Sequence, residues 1–130
     1  MTRDEFLDFH KFFTERMREI CVRKNNDYAG KGGENAFANF TRVEAMGIAS
    51  TEQGFATRML DKMSRISTFI ESGELLVKDE SVEDTLLDLA NYSALLAGYI
   101  GHKKLKAMGE AKECASEQMA RPGNGLVRAN

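Results

Sequence analysis

The chain has only two cysteines, two histidines and one proline, and several of its shortages remove a class of function. Cys21 and Cys114 lack the spacing of a metal site, and no secretory leader precedes the first helical pattern, so the expected setting is reducing and cytoplasmic. His10 lies beside Phe9 on an apolar stripe and His102 sits near a cationic helix end; both read as surface or packing groups, not as ligands. Serine and cysteine nucleophiles lack a local base, which argues against a covalent mechanism. No apolar run is long enough to span a bilayer. A formal net charge of -2, with both signs interspersed, excludes the dense cationic excess needed to coat an extended nucleic acid. A small anionic ligand needs only a local cluster of cations and stays open.

What is present points to a helical domain. With 130 residues, 42% of them hydrophobic, the chain forms one globular unit with a modest core. Thr2-Arg3-Asp4-Glu5 has capping-box spacing, and Phe6, Phe9, Phe13, Met17 and Ile20 then recur at helical steps, giving a first helix over about 3–24. Ser50 or Thr51 starts a second, with Gln53 placed to complete a capping box and Phe55, Met59, Met63, Ile66 and Ile70 forming a stripe up to Gly73. Ser81 followed by Asp84 starts a third, from about 82 to the Lys103-Lys104-Leu105-Lys106 cluster, where cations suit a helix C-terminus. The third helix is apolar over so broad a face, including Leu86, Leu89, Leu95, Leu96, Tyr99 and Ile100, that a homo-oligomer is expected, with Leu89 in the core. Residues 107–120 have helical composition but a weak stripe, suiting a peripheral helix or a swapped arm; 121–130 read as a loose tail after a single domain over 1–120.

The third helix also carries a polar stripe through Asp84, Asp88 and Asn91, four and three residues apart. A carboxylate on a largely buried helix needs a partner, because desolvating an unpaired charge costs several kcal/mol. Either a cation from another helix or a wet cleft would serve. On the second helix Arg58, Asp61, Lys62 and Arg65 share a face at four-residue steps. They read equally as solvated ion pairs or as groups facing the third helix. In the latter case Asp61, Asp84 and Asp88 would form an oxygen-ligand site for Mg2+, with Glu15 and Glu19 as additions and the adjacent cations holding phosphate.

The connection over 24–49 is too long for an ordinary turn, and structureless segments of that size are more often functional than idle. Lys24, Lys31 and Arg42 add positive charge, the glycines at 30, 32 and 33 allow amides to turn toward an anion, Asn35 and Asn39 can read a base edge, and Tyr28, Phe37 and Phe40 offer stacking surfaces. Together these suit a nucleotide. For the two phenylalanines alone, pinning the loop to the core is the better reading. The glycines lack P-loop order and no strand precedes them.

Four segments carry a resemblance: Lys24-Asn25-Asn26-Asp27-Tyr28, Asn35 to Phe40, Asp61-Lys62-Met63-Ser64-Arg65-Ile66, and Glu83 to Tyr92. Ordered in this way, they resemble the nucleotide modification associated domain of the first type, a small helical family frequent in bacteriophages. The resemblance spans roughly residues 10–100 and implies a nucleotide ligand, in the host cytoplasm if the chain is phage-encoded; taken with the loop and helix residues above, the candidate ligand-binding set is Lys24, Asp27, Tyr28, Lys31, Asn35, Phe37, Asn39, Arg58, Lys62, Arg65 and Asn91. More distantly, the chain looks like the all-alpha MazG-like nucleotide pyrophosphatases, which hold Mg2+ on Glu-Glu-x-x-Glu and Glu-x-x-Asp helices. Here only Glu15 and Glu19 stand on the first helix, and Thr85 lies three before Asp88, so Asp84 would substitute. Three readings follow: an Mg2+-dependent enzyme that processes or hydrolyses a nucleotide, a protein that sequesters a nucleotide such as a host defence signal, and a structural helical partner.

Overall fold

The structure, a computed structural model, describes residues 1–28, 35–75 and 80–120, with residues 25–28 described by their backbone alone. The described residues are all-α, in four helices without strands: α1 (Arg3–Tyr28), α2 (Ala38–Ala45), α3 (Thr51–Ser72) and α4 (Val82–Ala120). The expected tail over 121–130 lies outside the described residues. The chain divides into two compact units, Met1–Ala97 and Gly98–Asn130.

Three helix starts form as their residue patterns dictate. Thr2 and Glu5 exchange backbone and side-chain hydrogen bonds at 2.6 and 3.2 Å ahead of α1. Ser50 and Gln53 close a capping box on α3 at 3.1 and 2.9 Å, and Gly73, at φ +72°, turns its N–H back to the Phe69 carbonyl to end the helix. Ser81 and Asp84 form the equivalent pair on α4. The last helix does not stop at Lys103–Lys106. It continues to Ala120 because Ala, Glu, Lys, Gln and Met keep helix propensity high with no breaker among them stronger than Gly109.

α2 occupies a stretch of the connection that the sequence reading leaves without regular structure. Asn35 accepts from the Phe37 N–H at 3.0 Å and tightens the entry. The exit is a Schellman turn, with Gly47 at φ +70° donating to the Glu44 carbonyl and Ile48 donating to the Val43 carbonyl. α2 packs on α3, where Gly54 leaves room for the Phe40 carbonyl and the Val43 side chain. The Glu44 carboxylate completes the joint by accepting from both the backbone N–H and the hydroxyl of Thr51.

The core of the first unit is small. Phe55, Thr51 and Thr85 are fully buried and Leu87 and Phe40 nearly so. Phe40 and Phe55 stack face to face with centroids 3.8 Å apart, and Tyr92 meets Phe40 edge-on at 5.9 Å. Leu87, not Leu89, is the leucine that α4 buries; Leu89 is only partly covered. The stripe on α1 is covered toward its C-terminal end, at Phe13, Met17 and Ile20, while Phe6 and Phe9 are about half exposed. On α3, Met63 and Ile70 are exposed as well.

Leu87→Ala should therefore cost about 2 to 5 kcal/mol in urea unfolding, with Leu89→Ala costing clearly less. The reverse order would mean that α4 is rotated from the face described here.

Candidate functional site

Asp88 lies in the second turn of α4, where its carboxylate is held from two sides. Lys24 Nζ, from the C-terminal part of α1, approaches Oδ1 at 2.6 Å. Lys62 Nζ, from the middle of α3, approaches Oδ2 at 2.9 Å. Lys62 is buried, at 8% exposure, and also reaches Glu80 at 3.1 Å, just ahead of the α4 cap. Glu80 in turn accepts from Arg65, whose Nε lies 3.4 Å from Asp61. The result is an alternating series, Lys24, Asp88, Lys62, Glu80, Arg65 and Asp61, of three cations and three carboxylates. Charge alternation at this spacing is what permits a lysine to be buried at all.

Titration follows from this geometry. Burial acts on Asp88 first, favouring its neutral form, but the hydrogen bonds and charges of Lys24 and Lys62 outweigh it and hold the carboxyl below its ordinary value. Burial likewise opposes the Lys62 ammonium, and the hydrogen bonds and charges of Asp88 and Glu80 overcome it and raise Lys62 above its ordinary value.

On the Lys24 side of Asp88 a cavity of about 90 Å³ opens. α1 contributes Cys21 and Lys24, α4 contributes Asp88, Asn91, Tyr92 and Leu95, and α3 contributes Arg58; Ala36, Asn39 and Phe40 close it from α2 and its approach. The Asn91 side-chain amide donates to the Met17 carbonyl at 3.1 Å and so joins α4 to α1 at the cavity wall. Arg58 is exposed and has no ion-pair partner among the described residues.

Of the residues expected to bind ligand, Lys24, Asn39, Arg58 and Asn91 come together in this cavity. Lys62 and Arg65 do not line it; they stand behind Asp88 in the ion-pair series. Asn35 and Phe37 serve at the entry to α2, the former as a turn acceptor and the latter as the residue before the helix. The Asp27 and Tyr28 side chains and the whole of Lys31 lie outside the described residues. The expectation of a solvated Lys62 is corrected by its burial against two carboxylates.

The expected metal set does not converge either. Asp61 is exposed beside Arg65, Asp84 turns back to cap α4 on Ser81, and each oxygen of Asp88 faces a lysine. Among the described residues no group of three or more His, Cys, Asp or Glu side chains is placed to hold a metal ion. Glu80 went unnoticed in the sequence because it stands outside every periodic segment. Cys21 registers in the sequence only as a thiol without metal-site spacing, although its i,i+3 step to Lys24 puts both on one face of α1.

Searches of the chain against protein-family models, curated proteins and solved structures found no match.

Asp88→Asn should lower stability by about 1.5 to 3 kcal/mol, the scale of hydrogen bonds to charged groups. Because the Asp88 pKa is depressed on folding, its contribution is present above the ordinary carboxylate value and is lost as pH falls through the depressed one. Lys62 is raised on folding, so its contribution is present below the ordinary ammonium value and lost as pH climbs through the raised one. The variant should therefore show a flatter acid limb and an alkaline limb that begins at lower pH. Urea titrations across pH read both, and limbs identical to wild type would contradict the pairing.

Proposed function

We propose that the chain is a nucleotide-binding protein that retains its ligand without hydrolysing it, in keeping with a role in sequestering a nucleotide signal. The observation that carries this reading is the convergence around one cavity of Arg58, which has no ion-pair partner among the described residues, with the amide side chains of Asn39 and Asn91. A guanidinium offers a planar fork to phosphate oxygens, amide groups can match a base edge, and the Tyr92 ring supplies apolar wall. The resemblance to the nucleotide modification associated domain supports the same ligand class. Asp88 is the carboxylate best placed to act on a ligand here, and its two oxygens are engaged by Lys24 and Lys62. That engagement favours binding over Mg2+-dependent processing, since a carboxylate already paired twice is a weak metal ligand or base.

A homo-oligomer belongs to the same proposal. Phe6, Leu7, Phe9 and Phe12 are each about half exposed on α1, and clustered apolar surface of this kind suits a partner of the same chain. Sedimentation at micromolar concentration should give a species larger than a monomer.

A thermal-shift screen of nucleotides, with Mg2+ and with EDTA, tests the central claim. A bound nucleotide present at about 100 times its Kd should stabilise the protein by about 2.7 kcal/mol in either medium. Arg58→Ala should fold normally, because an exposed unpaired cation contributes little to stability, and should weaken binding about tenfold, or ~1.4 kcal/mol. Lys62→Ala, by contrast, should destabilise the fold. Stabilisation seen only with Mg2+, accompanied by turnover, would replace this reading with the enzymatic one.

A further inference from the structure

The N-terminal half of α1 carries aromatic surface that the cavity does not use. Phe9 and Phe12 are 47% and 55% exposed there. Glu5, Phe9, Phe12 and Arg16 follow one another at steps of four, three and four residues, the spacing of a coiled-coil seam, and so lie in one narrow stripe. Arg16 holds its guanidinium 6.0 Å from the centroid of the Phe12 ring, and both Glu5 and Arg16 are exposed. Cys21 and Lys24 leave α1 on another side, toward the cavity.

The order of these four residues is self-complementary. Glu5 stands four residues before Phe9 and Arg16 four residues after Phe12, so a twofold axis through the midpoint of the stripe exchanges one end for the other. Two α1 helices related by that axis run antiparallel, with Phe9 against Phe12 of the second copy and Glu5 against Arg16 of the second copy. A parallel pairing would set Glu5 on Glu5 and Arg16 on Arg16, where like charges repel. Glu5 keeps its capping role as well, since its Oε2 accepts the Thr2 N–H at 2.6 Å and a carboxylate can accept from a guanidinium besides. Resting on the homo-oligomer reading above, we infer that the occupant of this face is a second copy of the chain, docked antiparallel along α1 through Glu5, Phe9, Phe12 and Arg16. The rings supply the apolar centre, and the ion pairs at its rim fix the orientation more than they add affinity. One twofold axis uses up the stripe, so assembly through it closes at two chains.

Sedimentation velocity over a micromolar concentration series tests this, with far-UV circular dichroism reporting that each variant keeps its helices. The wild type should move between monomer and dimer. Phe9→Ala, a helix-favouring change at a half-exposed position, should raise the dimer dissociation constant about thirtyfold, because symmetry removes the ring twice. Arg16→Glu should raise it about tenfold by placing carboxylates together at both ends of the seam. Sodium chloride should weaken the wild-type dimer and strengthen that of Arg16→Glu, since it screens attraction in the first and repulsion in the second. A dimer indifferent to Phe9→Ala or to Arg16→Glu, or a wild-type dimer that salt strengthens, overturns this inference and leaves the homo-oligomer reading in place. A trimer does the same. A wild type that is monomeric throughout the series overturns both, whatever nucleotide it binds.

Discussion

The carboxylate of Asp88 is the constraint on which the arrangement of the first unit depends. It is drawn between an ammonium from α1 and an ammonium from α3, so three helices are tied through two oxygens of one side chain. Burying any of these charges alone would cost several kcal/mol. The solution is alternation, continued through Glu80 to Arg65 and Asp61, in which each buried charge has opposite neighbours and the ends of the series emerge toward solvent. The aromatic stack of Phe40, Phe55 and Tyr92 does the complementary task with apolar surface, holding α2 to α3 and α4. The cavity opens where the two systems meet, with Asp88 on one wall and Phe40 and Tyr92 on another.

Local signals made much of this legible in the sequence. Ser50, Gln53 and Gly73 mark α3 to the residue, because a capping box and a left-handed glycine are chemistry that a helix end needs whatever surrounds it. α2 carries no side-chain cap and is only eight residues long, too short for its apolar spacing to register. What secures it is Phe40 on Phe55, a contact between segments that composition does not reveal. Leu87 and Leu89 illustrate the limit on a broad apolar helix. When Leu86, Leu87, Leu89 and Ala90 are all apolar, periodicity cannot choose the quadrant that faces the core. Lys62 is the sharper case: its place among Arg58, Asp61 and Arg65 reads as either a solvated face or one turned to the third helix, and the approach of α4 and Glu80 is what turns it inward.

The polar stripe of α4 shows how one pattern divides among unlike roles. Asp84, at the third helical position, satisfies the free amide of Ser81 and belongs to the helix start. One turn on, Asp88 is the hub of the ion pairs. Asn91, a further turn along, reaches a main-chain carbonyl of α1. Equal spacing does not imply a shared task, because the first turn of a helix imposes its own demand before any tertiary partner arrives. A reading that pools the three into one metal shell overlooks that prior claim on Asp84.

Chemical consequences follow from which groups are already committed. The carboxylates nearest the cavity have partners at hydrogen-bonding distance, which lowers their capacity to bind a cation or accept a proton. Arg58 and Asn39 have no side-chain partner of this kind among the described residues. A ligand held by Arg58 and Asn39, as proposed, would therefore break no interaction shown among the described residues, and the paired wall behind them is already in place. Pre-organisation of this sort reduces the ordering cost of association. Lys62 and Arg58 stand one turn apart on α3, the first turned to Asp88 and Glu80 and the second to the cavity.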